Sequence, residues 1–450
     1  MSKRNLTILI TALTIIIIAF GFWYFNKGEP SGEGEGTNFG FDFNPFNNKK
    51  STSPDGEGTP PTDVSGYVPP PDIATQAIKL RKVSSMPIAG FGIFMKERYK
   101  EIPNPSQSLP LSGEEGTSIP PAKGELGGLK LTPPPTEFIP AVRYVARATG
   151  NIYQTFADAI DERKFSSTII PTVYEAYFSN KGESVIMRYL KVDNKTIQTF
   201  VGTLPKEYLG ADSVGTSVIA GSFLPDNITD MSISPDTLKI FYLFETGNSV
   251  VGVTADNPGN RKTQVFDSPF TEWLSSWPND KVITITTKPS ANVPGFIYII
   301  NPDKKDLNKA LGDFNGLTTL TSPDGKLILY SNNNLSLRVF HTDTRNSDSL
   351  GVKTLSEKCV WGSASDILYC AVPQFINGSS YPDIWYKGET SFSDAIWKID
   401  LKSGTTSMVV DPVLVKGEEI DGIKLALDDG ENYLFFVNKK DSFLWKLNLK

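Results

Sequence analysis

LTTLTSPDGKLILYSNNNLSLRVFHTDT, residues 317–344, is the stretch that decides the fold. A short apolar strand runs into a tight turn at Ser322-Pro323-Asp324-Gly325, and a strand rich in β-branched and aromatic residues follows. A polar loop then leads to a third strand that ends in an acidic turn. Proline presets one turn dihedral, and glycine or aspartate tolerates the next. The same pattern recurs on both sides. Downstream lie CVWGSASDILYCAVP with DAIWKIDLKSG, and then IKLALDDGENYLFFVNKKDSFLWKLNLK. Upstream lie WLSSWPNDKVITITTKPSANVPGFIYIINPD, MSISPDTLKIFYLFETGNSVVGVTAD and a more worn copy beginning at Val173.

The turns near Lys181, Asp236, Asn279, Asp324, Ser365 and Asp429 follow one another at intervals of about 40 to 65 residues, the period of propeller blades. A lone four-stranded sheet cannot bury both of its faces, whereas radial stacking of such sheets can. A further strand set lies upstream: PIAGFGIFM, AVRYVAR with NIYQTFA, and SSTIIP as a fourth strand. The count is therefore seven blades, with six or eight as the neighbouring possibilities. The final copy stops after its third strand at Lys450, and AIKLRKVS, residues 77–84, is an orphan strand able to fill the gap beside residues 442–449.

Ser234-Pro235-Asp236 and Ser322-Pro323-Asp324-Gly325, each followed by an apolar strand, resemble the repeat of TolB-like (WD40-like) propellers. IWKIDLKSG, residues 396–404, resembles the third strand and exit turn of such blades. The resemblance covers residues 78–450 and implies the fold; the repeat serves binding proteins, scaffolds and peptidase accessory domains alike, so it implies little about activity. The order of anchor, tether and single propeller is also similar to that of surface-anchored propellers of bacteria with reduced genomes.

Ahead of the repeats, residues 6–25 read LTILITALTIIIIAFGFWYF without a charge. Twenty residues at a rise of about 1.5 Å span a bilayer core of about 30 Å. Lys3 and Arg4 precede this segment, so residues 1–5 are expected in the cytoplasm and everything after Phe25 outside it. A cleaved signal peptide is the competing reading, since Ala19 and Gly21 have small-residue spacing; the apolar run continuing to Phe25 favours a retained single-pass anchor. Residues 26–76 are rich in Gly, Pro, Ser, Thr and acids, too polar to bury a core, and are read as a disordered linker with a span of about 40 Å. Four phenylalanines in it (Phe39, Phe41, Phe43 and Phe46) read as a low-complexity stretch, with a docking motif as the sharper alternative. The domains are thus an anchor, a linker and a propeller over residues 77–450.

The net charge of −6 offers no basic face for nucleic acid. A single histidine, His341, and two cysteines leave little material for metal sites or histidine-based catalysis. No nucleophile elbow, P-loop or dinucleotide fingerprint is present, so no catalytic, metal or cofactor residue is assigned. Cys359 and Cys370 flank one hairpin turn at positions that strand pairing sets opposite each other; a disulfide is expected, with two reduced core thiols as the alternative. Two insertions break the period, at residues 96–139 and 373–393. The second carries Phe375, Tyr381, Trp385, Tyr386 and Phe392, which either form a contact loop for a partner or fold back over the blade. The functional expectation is a non-catalytic module, displayed outside the cytoplasm, that binds or organises a protein or envelope component. The alternative is a hydrolase with a site in the central channel.

Overall fold

A computed structural model of the chain describes residues 79–100, 134–207, 209, 218–256 and 259–450. The apolar segment 6–25, the linker and most of the first insertion lie outside these residues. Among the described residues, no helix is long and apolar enough to cross a membrane.

Seven antiparallel four-stranded sheets follow one another along the chain. Blade one comprises Ile88–Tyr99, Thr136–Ala146, Ile152–Phe156 and Arg163–Lys164, and blade two Val173–Ser179, Ser184–Leu190, Ile197–Thr203 and Ala220–Phe223. Blade three runs from Ile228–Ile233 to Asn260–Ser268, and blade four from Trp273–Asn279 to Asp306–Asn315. Blade five runs from Thr318–Thr321 to Ser347–Lys353, and blade six from Cys359–Trp361 to Thr405–Val410. Blade seven takes Gly422–Leu427, Tyr433–Asn438 and Leu444–Asn448 from the C-terminus and Leu80–Lys82 from upstream of blade one. The first strands of blades one and two, three and four, four and five, and six and seven touch one another, which places first strands at the axis.

The repeat motif builds its own turn. In blade three, Ser234 Oγ donates to Asp236 Oδ1 and accepts from Lys239 N at 2.9 Å, while Asp236 Oδ1 accepts from Leu238 N at 3.0 Å. Blade five repeats the arrangement with Ser322, Asp324, Lys326 N and Leu327 N. Gly325 has φ 74°, a backbone region that glycine enters without strain. Serine and aspartate are thus selected because each satisfies turn amides that no strand partner reaches.

The interior consists of layers between blades. Blades one and two share Ala89, Val145, Ala176 and Met187, and blades three and four share Phe241, Phe266, Trp273 and Ile285. Closure runs through Leu80↔Leu447, Arg81↔Lys446 and Lys82↔Trp445. Val83 N extends the pairing by donating to Leu444 O at 2.7 Å, and Ser84 Oγ accepts from Leu444 N at 2.9 Å. Blade seven then packs on blade one through Phe435, Val437, Val142 and Tyr144.

Cys359 and Cys370 stand directly opposite and are joined by a disulfide. One strand differs from the sequence reading. SSTIIP does not form the fourth strand of blade one; the two-residue strand Arg163–Lys164 does. The backbone leaves the sheet after it because the amides of Phe165 and Ser166 both turn to Ile152 O. The first insertion differs too, since its ends continue the sheet as a ribbon pairing Lys96↔Ile139 through Tyr99↔Thr136.

Removing residues 1–76 is expected to leave a cooperatively melting domain. Removing residues 1–84 uncovers the edge of the apolar strand Leu444–Asn448 and is expected to cause aggregation. Light scattering during thermal unfolding of both truncations checks this, and equal behaviour would count against the closing strand.

Candidate functional site

The axial wall is polar, and its groups face one another. Glu175, on the first strand of blade two, accepts from Arg188, which also donates to Ile228 O and, at 3.2 Å, to Thr229 O of blade three. Lys424 of blade seven reaches toward the same carboxylate, at 3.9 Å. Asp230 of blade three accepts from Ser275 N of blade four, whose hydroxyl contacts Ser232 Oγ at 3.2 Å. Hydroxyls continue the series: Thr286 and Thr319 are 2.6 Å apart, and Ser356 donates to Thr318 at 2.9 Å.

Asp230 and Glu357 are only partly exposed and are surrounded by protein, and their acidities follow. Burial raises Asp230 to about 6, against the opposing effect of its Ser275 hydrogen bonds. Burial likewise raises Glu357 to about 7, although Tyr386 OH donates to it at 2.5 Å. A small cavity lies between Glu357, Tyr386 and the hydroxyls of Ser275, Ser276, Thr284 and Thr286. Among the described residues, no group of three or more His, Cys, Asp or Glu side chains converges in a way that would hold a metal. His341, at the end of a third strand, pairs at the surface with Asp348 at 2.9 Å and belongs to no channel group.

The aromatic insertion of blade six folds inward. Tyr381, Trp385 and Phe392 are at most 4% exposed and pack with Leu335 and Leu355. Tyr381 and Trp385 both stack near Phe392, with ring centroids 5.5 and 6.3 Å away. These three residues are therefore not available as contact residues, which corrects the contact-loop reading for them. A polar anchor draws the loop in: Trp385 Nε1 donates to Asp421 at 2.9 Å, and Phe392 N donates to the same oxygen at 3.0 Å. Of the five rings, Phe375 (74% exposed) and Tyr386 (37%) keep open surface, and Tyr386 does so toward the channel. The sequence signal that marked the loop was real; the buried carboxylate that captures it comes from blade seven.

A surface that sequence reasoning passed over is the ribbon of blade one. Met95, Tyr99 and Phe138 alternate onto one of its faces, with Phe138 63% exposed. That face borders a cleft whose other wall is the acidic turn at Asp428 and Asp429 with Tyr433 and Asn448 of blade seven. On the opposite face, Arg98 is held by Glu137 and by both oxygens of Asp158 while lying over the ring of Phe156. Among the described residues, the ribbon is thus braced on one side, while the other exposes Met95, Tyr99 and Phe138 around a Thr136–Glu97 hydrogen bond.

No family model and no curated protein sequence matches the chain. Solved structures do. An oligogalacturonate lyase in complex with manganese aligns over 69% of this chain and 85% of its own, at 10% identity and a TM-score of 0.43. An oligogalacturonate lyase from Vibrio parahaemolyticus aligns over 69% and 86%, at 6% identity and a TM-score of 0.45. A chain of a mitotic checkpoint complex aligns over 69% and 86%, at 10% identity and a TM-score of 0.44. Likeness at this level bears on neither the chemistry nor the partners of the present chain.

Truncating Trp385 to Ala removes a buried ring and is expected to cost about 3–5 kcal/mol of stability. Phe375→Ala, at an exposed position, is expected to stay within about 0.5 kcal/mol. Denaturant melts of the two variants test the inward fold, and a stable Trp385→Ala protein would contradict it.

A second expectation follows from Glu357. Its carboxyl titrates higher in the folded chain than in the unfolded chain, so the stability of the protonated form is lost as pH rises through about 7. Glu357→Gln mimics the neutral acid. It should raise Tm relative to the parent at pH 8 and leave it unchanged at pH 5; a gain of equal size at both values would show that the carboxyl does not titrate in this window.

Proposed function

We propose that this chain is a TolB-like propeller held at the outer face of a membrane by residues 6–25, where it acts as a non-catalytic binding or scaffold module for a protein or an envelope component. The observation that carries the proposal is the bare apolar face of the blade-one ribbon. Met95, Tyr99 and Phe138 are exposed on a rigidly braced element at the mouth of a cleft, a setting in which apolar and aromatic side chains serve as contact residues. The channel supports the same reading, because its carboxyl groups already have partners: Glu175 with Arg188, Asp230 with Ser275 N, and Glu357 with the Tyr386 hydroxyl. The disulfide in blade six fits an oxidising compartment, and Lys3 and Arg4 ahead of the apolar segment fit an outward-facing propeller.

One observation favours the hydrolase reading. Glu357 titrates near neutrality beside a tyrosine hydroxyl and a cavity rich in hydroxyls, as a general acid–base would require. The cavity is small and the carboxyl already has a partner, so the binding reading is preferred.

A photo-reactive amino acid at position 138, introduced into the full chain in intact cells, is expected to yield discrete high-mass adducts on illumination. The same probe at Leu414, 62% exposed on a short helix, is expected to yield none. Identical patterns at the two positions would remove the ribbon as the contact surface. Protease added outside the same cells should release the propeller by cutting within residues 26–76, and full protection would overturn the topology.

A further inference from the structure

Lys358, Asp394 and Asp421 are all completely buried, and together they hold one cation between two carboxyl groups. Lys358 immediately precedes Cys359 on the first strand of blade six, Asp394 opens the third strand, and Asp421 stands just ahead of the first strand of blade seven. Lys358 Nζ lies 2.8 Å from Asp394 Oδ2 and donates to Asp421 Oδ1. The rings of Trp385 and Phe392 cover the amine, with centroids 5.3 and 5.2 Å from Nζ. An exposed ion pair would be held here only loosely by water; this one is sealed under an aromatic lid.

The two carboxyl groups are not equivalent. Asp421 accepts from Trp385 Nε1, Ser391 Oγ and Phe392 N on one oxygen and from Lys358 on the other, a donor set that stabilises a carboxylate. Asp394 accepts from Gly422 N at 2.7 Å and from Lys358, both on Oδ2. Its Oδ1 is buried without a hydrogen-bond partner among the described residues. Within the sealed pocket two carboxylates face one ammonium, the next cation being Lys439, 4.7 Å from the Trp385 ring centroid and bonded to Trp385 O, and protonation of Asp394 removes the excess negative charge around Lys358. Burial raises Asp394 from the usual carboxylate range to about 6, the direction that eases its taking up that proton.

From this geometry we propose that blade six cross-links itself, with Lys358 Nζ condensing with the side-chain carboxyl of Asp394 to form an amide, and Asp421 serving as the base. The ammonium gives one proton to Asp421, and the neutral amine attacks Cγ of the protonated Asp394. Oδ2 takes up the negative charge of the tetrahedral intermediate and is stabilised by Gly422 N–H. The Nζ–Cγ bond forms, the Cγ–Oδ1 bond breaks, and the second amine proton leaves with Oδ1 as water. Asp421 ends protonated, so the site is neutral before and after, and neither oxidant nor cofactor is required. A fixed contact of this kind makes the reaction effectively unimolecular, and the closed pocket keeps out the water that would reverse it. Together with Cys359–Cys370, the amide would tie the first strand of blade six to both its second and its third strands.

Mass spectrometry of the purified full chain after thiol reduction tests the proposal. The parent protein is expected to be lighter than its sequence by one water, with fragment spectra showing a branched peptide joined at Lys358 and Asp394. Lys358→Arg and Asp394→Ala should restore the sequence mass. Asp421→Asn should do the same while retaining a cooperative melt and an unchanged far-ultraviolet circular dichroism spectrum. A parent chain at its full sequence mass overturns the proposal, and because that reading is taken on the unaltered protein it stands even where a variant fails to fold. A deficit that persists in Lys358→Arg also overturns it, by assigning the lost water to cyclisation of an aspartate. A branched peptide that still forms in Asp421→Asn removes Asp421 from the reaction.

Discussion

Every blade of this protein has apolar residues on both faces of its sheet, and each face is covered only when another blade stands against it. Seven blades satisfy one another in sequence, but the last can be completed only from the other end of the chain. Leu80, fully buried between blade strands, and the short ladder it opens against Leu447 supply that completion. The interaction joins residues more than three hundred positions apart, so it can form only after the intervening blades have brought the ends together. Its strength does not lie in the three ladder pairs alone. Val83 and Ser84 add bonds to Leu444, and Lys82 lies over the rings of Phe443 and Trp445. Interfaces on both sides of blade seven depend on this pairing, including the packing of Phe435 against blade one.

A second constraint operates at blades six and seven, and it is electrostatic. A fully buried lysine must be neutralised, and two aspartates do so, one opening the third strand of blade six and one just ahead of the first strand of blade seven. Asp421 then has acceptor capacity to spare, which Trp385, Ser391 and Phe392 use. The insertion is therefore held by a carboxylate that sits in the next blade, and its rings roof the lysine that required the carboxylate. Asp383 extends the hold across the ring, accepting from Ala291 N of blade four at 2.6 Å. The loop thus braces the top of three blades and is part of the architecture.

The sequence carried much of this, unevenly. The Ser-Pro-Asp turns were legible because their chemistry is local: serine and aspartate bond amides within five residues. The cysteine pairing was legible because strand register follows arithmetically from the turn between them. The closing strand was legible from a count, one strand too few at the end and one too many at the start. What failed to show was non-local. SSTIIP has the composition of a strand, but the amides after Lys164 are claimed by Ile152 O, and no pattern in six residues discloses that. Aromatic residues in a loop look alike whether they face solvent or a buried carboxylate twenty-nine positions away. The channel network was illegible for the same reason, since Glu175, Arg188, Asp230 and Lys424 come from three blades and meet only at the axis.

Polar and apolar surface are unevenly distributed over the described residues. Inside, where a substrate would enter along the axis, carboxylates, cations and hydroxyls are already paired. Outside, on the ribbon of blade one, apolar side chains stand uncovered beside an acidic turn. Removing a channel group would leave a buried partner unsatisfied, so those positions are held by stability. On the apolar face of the ribbon, Phe138 pairs through its backbone with Glu97, while its ring is 63% exposed among the described residues. An exposed apolar side chain of this kind costs solubility, and the partner proposed above would account for its exposure. The braced ribbon, with Arg98 pinned between Glu137 and Asp158 behind it, would present that face with little ordering entropy to lose on binding.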